Sequence, residues 1–292
     1  MAPLVIPIVL CSTFMHAGWN LLARYERSES IFYSKMLMAI AVIGLVPAVC
    51  SEMVTRSITL KAWVCVVGSA FSAAVYLFAL ARAFESSDFT VVYPVARSLP
   101  VIFVAIIDVL RGRYLTGVGW LGILLVASGC SLVPLRSFGE FALRKYLNRA
   151  SLWMLLAALG TVGYTLLDKV AAEVVQQGPA TAARYGYMYF TISFVPYAVL
   201  LRVSKNQNHN PDPLGWKLAI PAAALSFGAY WLVLWAYQLS PYASYIVAFR
   251  QFSIVIGAIL AFIIYKEQGV AVRLAGATLI VFGLMLIALW GR

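Results

Sequence analysis

Residues 242–264 read YASYIVAFRQFSIVIGAILAFII, an apolar run in which Arg250 is the only charged residue. A membrane-spanning helix needs about 20 apolar residues, so this run is long enough to cross a bilayer once. A charge near the middle of such a segment is energetically costly and marks a functional site by default. The run therefore predicts a spanning helix that carries part of a binding site.

Nine further apolar windows, each bounded by charge, proline or glycine, predict that the chain crosses the membrane ten times. They are residues 4–23, 31–50, 62–81, 89–110, 117–134, 151–168, 181–201, 216–237 and 270–289. The 292 residues are 63% hydrophobic and 11% charged, whereas about a quarter of a soluble domain is charged. This composition excludes a soluble enzyme, a secreted disulfide scaffold and a disordered chain. We predict an all-α, integral multi-pass protein of a bacterial inner (plasma) membrane.

The two halves of the chain resemble each other in order, which predicts an internal repeat of five helices. The offset between matching residues drifts slowly, as small loop insertions would cause. The matches include Gly18 with Gly163, Lys35 with Arg184, Tyr76 with Tyr230, Gly122 with Gly276 and Gly129 with Gly283. Because five is odd, the second repeat enters the bilayer from the opposite side, which predicts inverted repeats with a binding site near the midplane.

Three segments follow from this interpretation. Residues 1–134 form the first five-helix repeat, and residues 151–292 form the second. Residues 135–150, LRSFGEFALRKYLNRA, mix aromatic and basic side chains and predict a short interfacial helix that links the repeats. The alternative is a helical membrane protein without functional symmetry.

When basic residues at span edges are counted with the loops, four remain within the predicted spans: Lys35, Arg97, Arg184 and Arg250. Arg97 and Arg250 lie near the middle of spans 4 and 9, so we expect them in a central cavity. Lys35 and Arg184 lie about one turn inside their spans, where a long side chain can instead reach the interface. The other basic residues, which contribute to a net charge of +11, are scattered in short loops, so we expect no nucleic-acid partner.

Spans 4 and 9 contain no acidic residue near their middle, which predicts a site for an anion. Asp108 and Asp168 lie near span ends, next to Arg111 and Lys169, and we interpret them as interfacial partners of these cations. Arginine suits bidentate recognition of carboxylate or phosphate. We therefore expect a small polar metabolite with such a group as the substrate, and no residue pattern indicates a metal or a cofactor.

The remaining predicted substrate-binding residues are polar or aromatic side chains that flank these cations. Tyr93 shares a helix face with Arg97, and His16 shares a face of span 1 with Asn20, each pair at i, i+4 spacing. His16 is either hydrogen-bonded to a neighbouring helix or a proton-responsive group. The other predicted pocket residues, each equally suited to simple packing, are Trp19, Tyr76, Tyr230, Trp231, Trp235 and Tyr245.

Two motifs resemble those of the EamA family of the drug/metabolite transporter superfamily. Residues 16–20, HAGWN, look like a signature of that family in span 1, and residues 92–100, VYPVARSLP, are similar to its span 4 motif. The resemblance implies ten helices in two inverted repeats and a cavity formed mainly by spans 1–4 and 6–9. It also implies transport of small metabolites such as amino acids, amines, sugars or their phosphates. Ser98 departs from the usual glycine, and residues 111–113 read RGR where Gly-Glu is common.

The sequence therefore predicts a secondary transporter, a permease or exporter that works by alternating access, and not an enzyme. The alternatives are a membrane enzyme that acts on a lipid-linked phosphate and a lipid flippase subunit. The expected partners are a small-molecule substrate and the lipid bilayer, with the chain as a monomer or homodimer. The orientation stays open, because the loop charges place both termini outside whereas the resemblance implies cytoplasmic termini.

Overall fold

The structure, a computed structural model, describes residues 4–23, 29–86, 89–140, 149–204, 215–265 and 269–291, and this part is helical throughout, apart from its connections. The helices are α1 (Val5–Ala23), α2 (Glu29–Thr55), α3 (Leu60–Ser86), α4 (Phe89–Leu110), α5 (Gly117–Leu132), α6 (Arg149–Ala172), α7 (Pro179–Val203), α8 (Gly215–Leu239), α9 (Ala243–Arg250), α10 (Phe252–Tyr265) and α11 (Val270–Trp290). Each predicted apolar window overlaps one of these helices, and the ninth window overlaps two.

Helix length and composition confirm the prediction of a multi-pass membrane protein. Within the described residues, eight helices are long and apolar enough to cross a bilayer. The α5 helix is also apolar but has 16 residues. Several helices extend past the predicted windows, as α2 does to Thr55 and α6 to Ala172. A hydropathy window ends where charges begin, whereas a helix can continue through the polar interface.

The ninth span is broken at Gln251, where α9 ends and α10 begins. The Gln251 amide donates to the Ala248 carbonyl, and the Ile254 amide donates to the Gln251 carbonyl, both at 2.9 Å. Such i→i+3 bonds tighten the chain into a 3₁₀-like turn. The Ser253 hydroxyl donates to the Arg250 carbonyl at 2.8 Å, so a side chain satisfies backbone that the turn frees. The break therefore follows directly after Arg250.

Helices from the two halves of the chain pack against each other. The α1 helix packs against α8, α2 against α7, α3 against α6, α4 against α9, and α5 against α11. Each of these pairs joins a helix that ends before residue 140 to one that begins at or after residue 149. The two halves therefore share one interior, and a site built from several helices draws residues from both.

Glycines allow α5 and α11 to approach each other closely. A Cβ atom added to Gly129 would lie 2.5 Å from the Gly276 carbonyl oxygen, and one added to Gly122 would lie 2.7 Å from the Gly283 carbonyl oxygen. Small residues at such a contact let two backbones pack directly, which is a common mode of helix association in membranes. The four glycines are thus required by the packing of these two helices.

The linker differs from the predicted interfacial helix over residues 135–150. Its described part contains a single 3₁₀ turn at Phe138–Glu140, and α6 already begins at Arg149. Pro134 explains the start of this irregular segment, because proline has no amide hydrogen to donate and disfavours helix in the residue before it. The prediction is wrong for residues 135–137, and residues 141–148 lie outside the described part.

Candidate substrate site

Arg97 on α4 reaches His16 on α1. The Arg97 Nη2 atom lies 2.9 Å from His16 Nε2, and Trp19 Nε1 donates to His16 Nδ1 at 3.1 Å. Trp19 is buried, whereas Arg97 and His16 are each partly exposed. The Asn20 amide donates to the His16 carbonyl at 2.7 Å and so engages its own helix. The structure thus brings the two motifs of spans 1 and 4 into direct contact.

Both ring nitrogens of His16 face hydrogen-bond donors. A guanidinium and an indole N–H can only donate, whereas a neutral imidazole offers one acceptor and one N–H. His16 therefore cannot accept from both Arg97 and Trp19, and its own N–H is directed at a donor. A carboxylate or phosphate oxygen between Arg97 and His16 would accept from both. The geometry therefore favours an anionic ligand at this position.

Arg250 lies over one ring of a tyrosine cluster formed by Tyr76, Tyr164, Tyr189 and Tyr230. Its Cζ atom is 5.5 Å from the centroid of the Tyr230 ring, which is a cation–π distance. The Tyr230 ring stacks on Tyr189 at 4.7 Å and meets Tyr164 edge-on at 5.9 Å. Tyr76 in turn contacts Tyr164 at 5.8 Å. The cluster, contributed by α3, α6, α7 and α8, forms an aromatic wall beside Arg250.

Arg250 and Arg97 both lie near His16. Both guanidinium groups are close enough to His16 to interact with it electrostatically. We call His16, Arg97 and Arg250 the cationic site. Its residues come from α1, α4 and α9, and therefore from both halves of the chain. A concentration of positive charge inside a membrane protein is suited to an anion that arrives from water.

Asp168 is a buried residue of α6, and its interpretation as an interfacial partner of Lys169 is wrong. Its side chain is inaccessible to solvent. Ser69 Oγ and the Tyr185 hydroxyl donate to its Oδ1 atom at 2.5 and 2.8 Å, and the Tyr230 hydroxyl donates to its Oδ2 atom. These three hydroxyl groups replace the water that a carboxylate loses on burial. We call Asp168, Ser69, Tyr185 and Tyr230 the Asp168 cluster.

Lys169 points away from the Asp168 cluster, because successive residues of a helix are rotated by about 100°. Its Nζ atom donates to the carbonyls of Tyr237 and Ser240 at 2.9 and 2.7 Å and lies 3.3 Å from a Glu173 oxygen. Lys169 therefore holds the end of α8 to α6.

Asp108 is also buried and serves a different function from the one predicted. Its Oδ2 atom accepts a hydrogen bond from the Ser244 amide at 2.8 Å, in the first turn of α9. A carboxylate at a helix N-terminus is favourable because it satisfies an amide and complements the helix dipole. Arg111, its predicted partner, pairs with Glu173 at 2.7 Å. Asp108 thus attaches α9 to α4.

Arg184 is paired with an acid, contrary to the expectation of an unmatched cation. Its Nε atom lies 3.2 Å from a Glu52 oxygen and 3.0 Å from Ser57 Oγ, to which it donates. Glu52 is buried and also accepts hydrogen bonds from Ser57 Oγ at 2.6 Å and the Ile58 amide at 2.7 Å. The pair therefore joins the end of α2 to the start of α7.

Replacing Arg184 with methionine should destabilise the protein by about 3 kcal/mol, because Glu52 would stay buried without its cation. Thermal unfolding of the purified variant measures this loss. The double variant Arg184→Met/Glu52→Gln should recover much of the stability, since it removes both charges. Solute flux per folded molecule should stay near that of the original protein. A large loss of flux without a loss of stability would instead assign Arg184 to the substrate.

The other predicted site residues lie outside the contacts that define the cationic site and the tyrosine cluster. Lys35 is partly buried on α2, and Trp235 packs from α8 against the core. Tyr245 is fully buried at the start of α9, against α5. Trp231 Nε1 donates to a backbone carbonyl at the start of α7 at 2.7 Å. Tyr93 belongs to α4, and its side chain is outside the described part.

Sequence reasoning missed Asp168, although one signal was present. Tyr164 and Asp168 are four residues apart and so share a face of α6, as Tyr93 and Arg97 do on α4. Ser69 and Tyr185 give no such signal, because each lies on a different helix and meets Asp168 only in the folded protein.

Comparisons with known proteins agree with this architecture. The model of the EamA-like transporter family matches residues 148–289. A solved crystal structure of a protein has a similar fold, with a TM-score of 0.70, 15% sequence identity, and coverage of 99% of this chain and 98% of that chain. In all, 28 solved chains are significantly similar. No curated protein matches the sequence significantly. The family match covers the second half of the chain, and the fold similarity covers both halves.

Proposed function

We propose, because residues 148–289 match the model of the EamA-like transporter family, that the protein is a membrane transporter and carries a small metabolite with a carboxylate or phosphate group. The observation that carries the proposal is the donor-rich contact between Arg97 and His16, with Arg250 close by. Three positively charged or donating side chains meet there, on helices from both halves of the chain. The oxygens of an anion accept hydrogen bonds both from arginine side chains and from the ring N–H of His16.

We assign different contributions to the members of the site. Arg97 and Arg250 bind the anionic group, and His16 donates its ring N–H to the same group. Trp19 fixes the His16 ring through its indole hydrogen bond. The tyrosine cluster lines one side of the site and fits the remainder of a small polar solute. Arg184 is left out of this assignment because Glu52 already holds it.

We further propose that the transporter consists of two inverted five-helix repeats, residues 1–134 and 151–292, and works by alternating access. The pairing of helices supports this arrangement, because exchanging each span with its equivalent reproduces the same set of contacts. The glycine contacts also support it. Gly122 and Gly129 correspond in sequence to Gly276 and Gly283, yet Gly122 contacts Gly283 and Gly129 contacts Gly276. A two-fold axis between α5 and α11 produces this crossed pattern. A bacterial inner membrane is the location we propose.

Solute uptake into proteoliposomes tests the proposed function. The panel should contain gluconate and succinate as organic acids, glutamate as an amino acid, glycerol phosphate, sulfate, and ethanolamine as a cationic control. We expect protein-dependent flux of at least one anionic solute and none of ethanolamine. Flux of ethanolamine alone would contradict an anion site. No flux of any solute, together with turnover of a lipid-linked phosphate, would favour the alternative of a membrane enzyme.

A further inference from the structure

We propose that Asp168 takes up a proton when an anion binds at Arg250, so that the substrate and a proton cross the membrane together. This inference rests on the proposed function and concerns the coupling of the same site. It starts from the position of Tyr230, whose hydroxyl donates to Asp168 while its ring lies against Arg250. One side chain therefore connects a buried acid to a cation of the substrate site.

Before an anion binds, Asp168 is the negative group that interacts with Arg250, while Arg97 is the second cation of the site. Arg250 is close enough to Asp168 to stabilise its negative charge. The two other buried carboxylates among the described residues, Glu52 and Asp108, are engaged by Arg184 and by the first turn of α9. An arriving anion competes with Asp168 for the positive charge of Arg250. Two negative charges close to one cation repel each other in a medium of low dielectric constant.

A proton from water removes this repulsion. It converts the Asp168 carboxylate to the neutral acid, and the total charge of the site then stays unchanged when a singly charged anion binds. The effect is reciprocal: if anion binding favours protonation of Asp168, protonation of Asp168 strengthens anion binding by the same factor. Coupling of this kind makes a pH difference across the membrane a driving force for the anion.

The Asp168 cluster can accommodate the protonated acid. Ser69 Oγ donates to Asp168 Oδ1 at 2.5 Å but also lies 3.4 Å from the Tyr164 carbonyl oxygen. When Asp168 is ionised, the Ser69 hydroxyl donates to it. When Oδ1 carries a proton, the Ser69 hydroxyl turns to the Tyr164 carbonyl and accepts the new O–H instead. In both protonation states, the Asp168 carboxyl group and the Ser69 hydroxyl therefore keep hydrogen-bond partners.

The groups around Asp168 on the neighbouring helices carry no competing negative charge near pH 7. Cysteine thiols and tyrosine hydroxyls are neutral at this pH, and arginine is positive. These neighbours are Cys65 on α3, Tyr164 on α6, Tyr185 and Tyr189 on α7, Tyr230 and Tyr237 on α8, and Arg250 on α9. Asp108 on α4 and Arg111, which directly follows α4, contact Ser244 and Glu173 instead. Among the groups that surround Asp168, its own carboxyl group is therefore the one assigned to proton exchange, whereas His16 is the titratable member of the cationic site.

Anion binding measured at several pH values tests the coupling. The probes are sulfate and gluconate, whose acid groups stay ionised between about pH 6 and 8. For the intact protein in nanodiscs, we expect the affinity for each anion to fall at least about fivefold as the pH rises through this range. A change of this size is typical of coupling between two sites. In a weakly buffered solution, the protein should take up protons from the solution when the anion binds. Affinity that does not depend on pH, with binding intact, would overturn the coupling and leave the anion site standing.

Two variants and one control sharpen the test. Asp168→Asn imitates the protonated acid, so its affinity should equal the low-pH value at every pH, without proton uptake. Tyr185→Phe removes one donor to the carboxylate, so the fall in affinity should move to higher pH. Asp108→Asn changes another buried aspartate, keeps the acceptor for the Ser244 amide, and should behave like the original protein.

Each remaining outcome bears on the proposal. If Asp168→Asn does not fold, the pH dependence of anion affinity in Tyr185→Phe tests the assignment. If that pH dependence is the same as in the original protein, the assignment to Asp168 is overturned. Proton uptake that persists in Asp168→Asn also overturns it. If neither probe binds the intact protein, the anion site itself is contradicted, and the coupling with it.

Discussion

Alanine at Arg250 is expected to reduce anion flux in proteoliposomes by at least about 30-fold. Truncating a buried charge that contacts a charged partner costs about 2–5 kcal/mol, and each 1.4 kcal/mol corresponds to a factor of ten. Arg97→Ala should have an effect of similar size, because Arg97 is the donor aimed at His16. Flux per folded molecule, with the amount of protein measured by size-exclusion chromatography, checks both variants.

A matched control separates this effect from the loss of any arginine. Arg82 also lies over an aromatic ring, with its Cζ atom 5.4 Å from the Phe78 centroid, but near the end of α3 and away from the cationic site. Arg82→Ala should therefore retain flux. The flux of Arg250→Lys should lie between those of Arg250→Ala and Arg82→Ala, since lysine keeps the positive charge but lacks the planar guanidinium group. Full flux in folded Arg97→Ala and Arg250→Ala would contradict the assignment of the site.

The second large effect is expected in the contact between α5 and α11. Valine at Gly129 should destabilise the protein by at least about 3 kcal/mol, the upper range for overpacking. The added Cβ would meet the Gly276 carbonyl oxygen at 2.5 Å and the Ile280 amide nitrogen at 3.0 Å. Backbone atoms cannot turn aside as side chains do, so the two helices must separate. The yield of monodisperse protein and its thermal unfolding measure this loss.

Gly257→Ala is the matched control for this prediction. Gly257 also lies within a spanning helix, but a Cβ atom there would meet nothing within 4 Å. Alanine is a better helix former than glycine by about 1 kcal/mol, so this variant should be as stable as the original or slightly more stable. An equally stable Gly129→Val variant would mean that α5 and α11 do not pack through these glycines.

The sequence is sufficient to predict the spanning helices and to single out His16 and Arg97 as two residues of the candidate site. Apolar windows locate each helix because burial in lipid requires long apolar runs. The motifs around His16 and Arg97 predict substrate-binding residues, and the structure brings these two residues to within 2.9 Å. No local pattern predicts that the two side chains touch, because residues 16 and 97 are brought together only by folding.

The errors in the predicted site share one physical cause. The window for span 6 stops at Asp168, and that for span 2 stops before Glu52, because charges end an apolar run. The helices continue to Ala172 and Thr55, so both acids lie about one turn inside a helix and are covered by neighbouring helices. Ser69, a partner of Asp168, and Arg184, the partner of Glu52, lie far from these acids in the sequence. Hydropathy therefore underestimates how deep a charged residue lies.

The turn at Gln251 divides the ninth span into two helical segments. Asp108 fastens the start of α9 to α4, and Arg250 is the last residue of that fastened segment. The α10 helix begins beyond the turn and packs against α1 and α11. Because the turn interrupts the regular helical hydrogen bonds, a tilt of α10 about Gln251 would leave Arg250 in place, whereas a tilt of a continuous helix would carry Arg250 along. In the alternating access that we propose, α10 would therefore move while α9 keeps the anion bound.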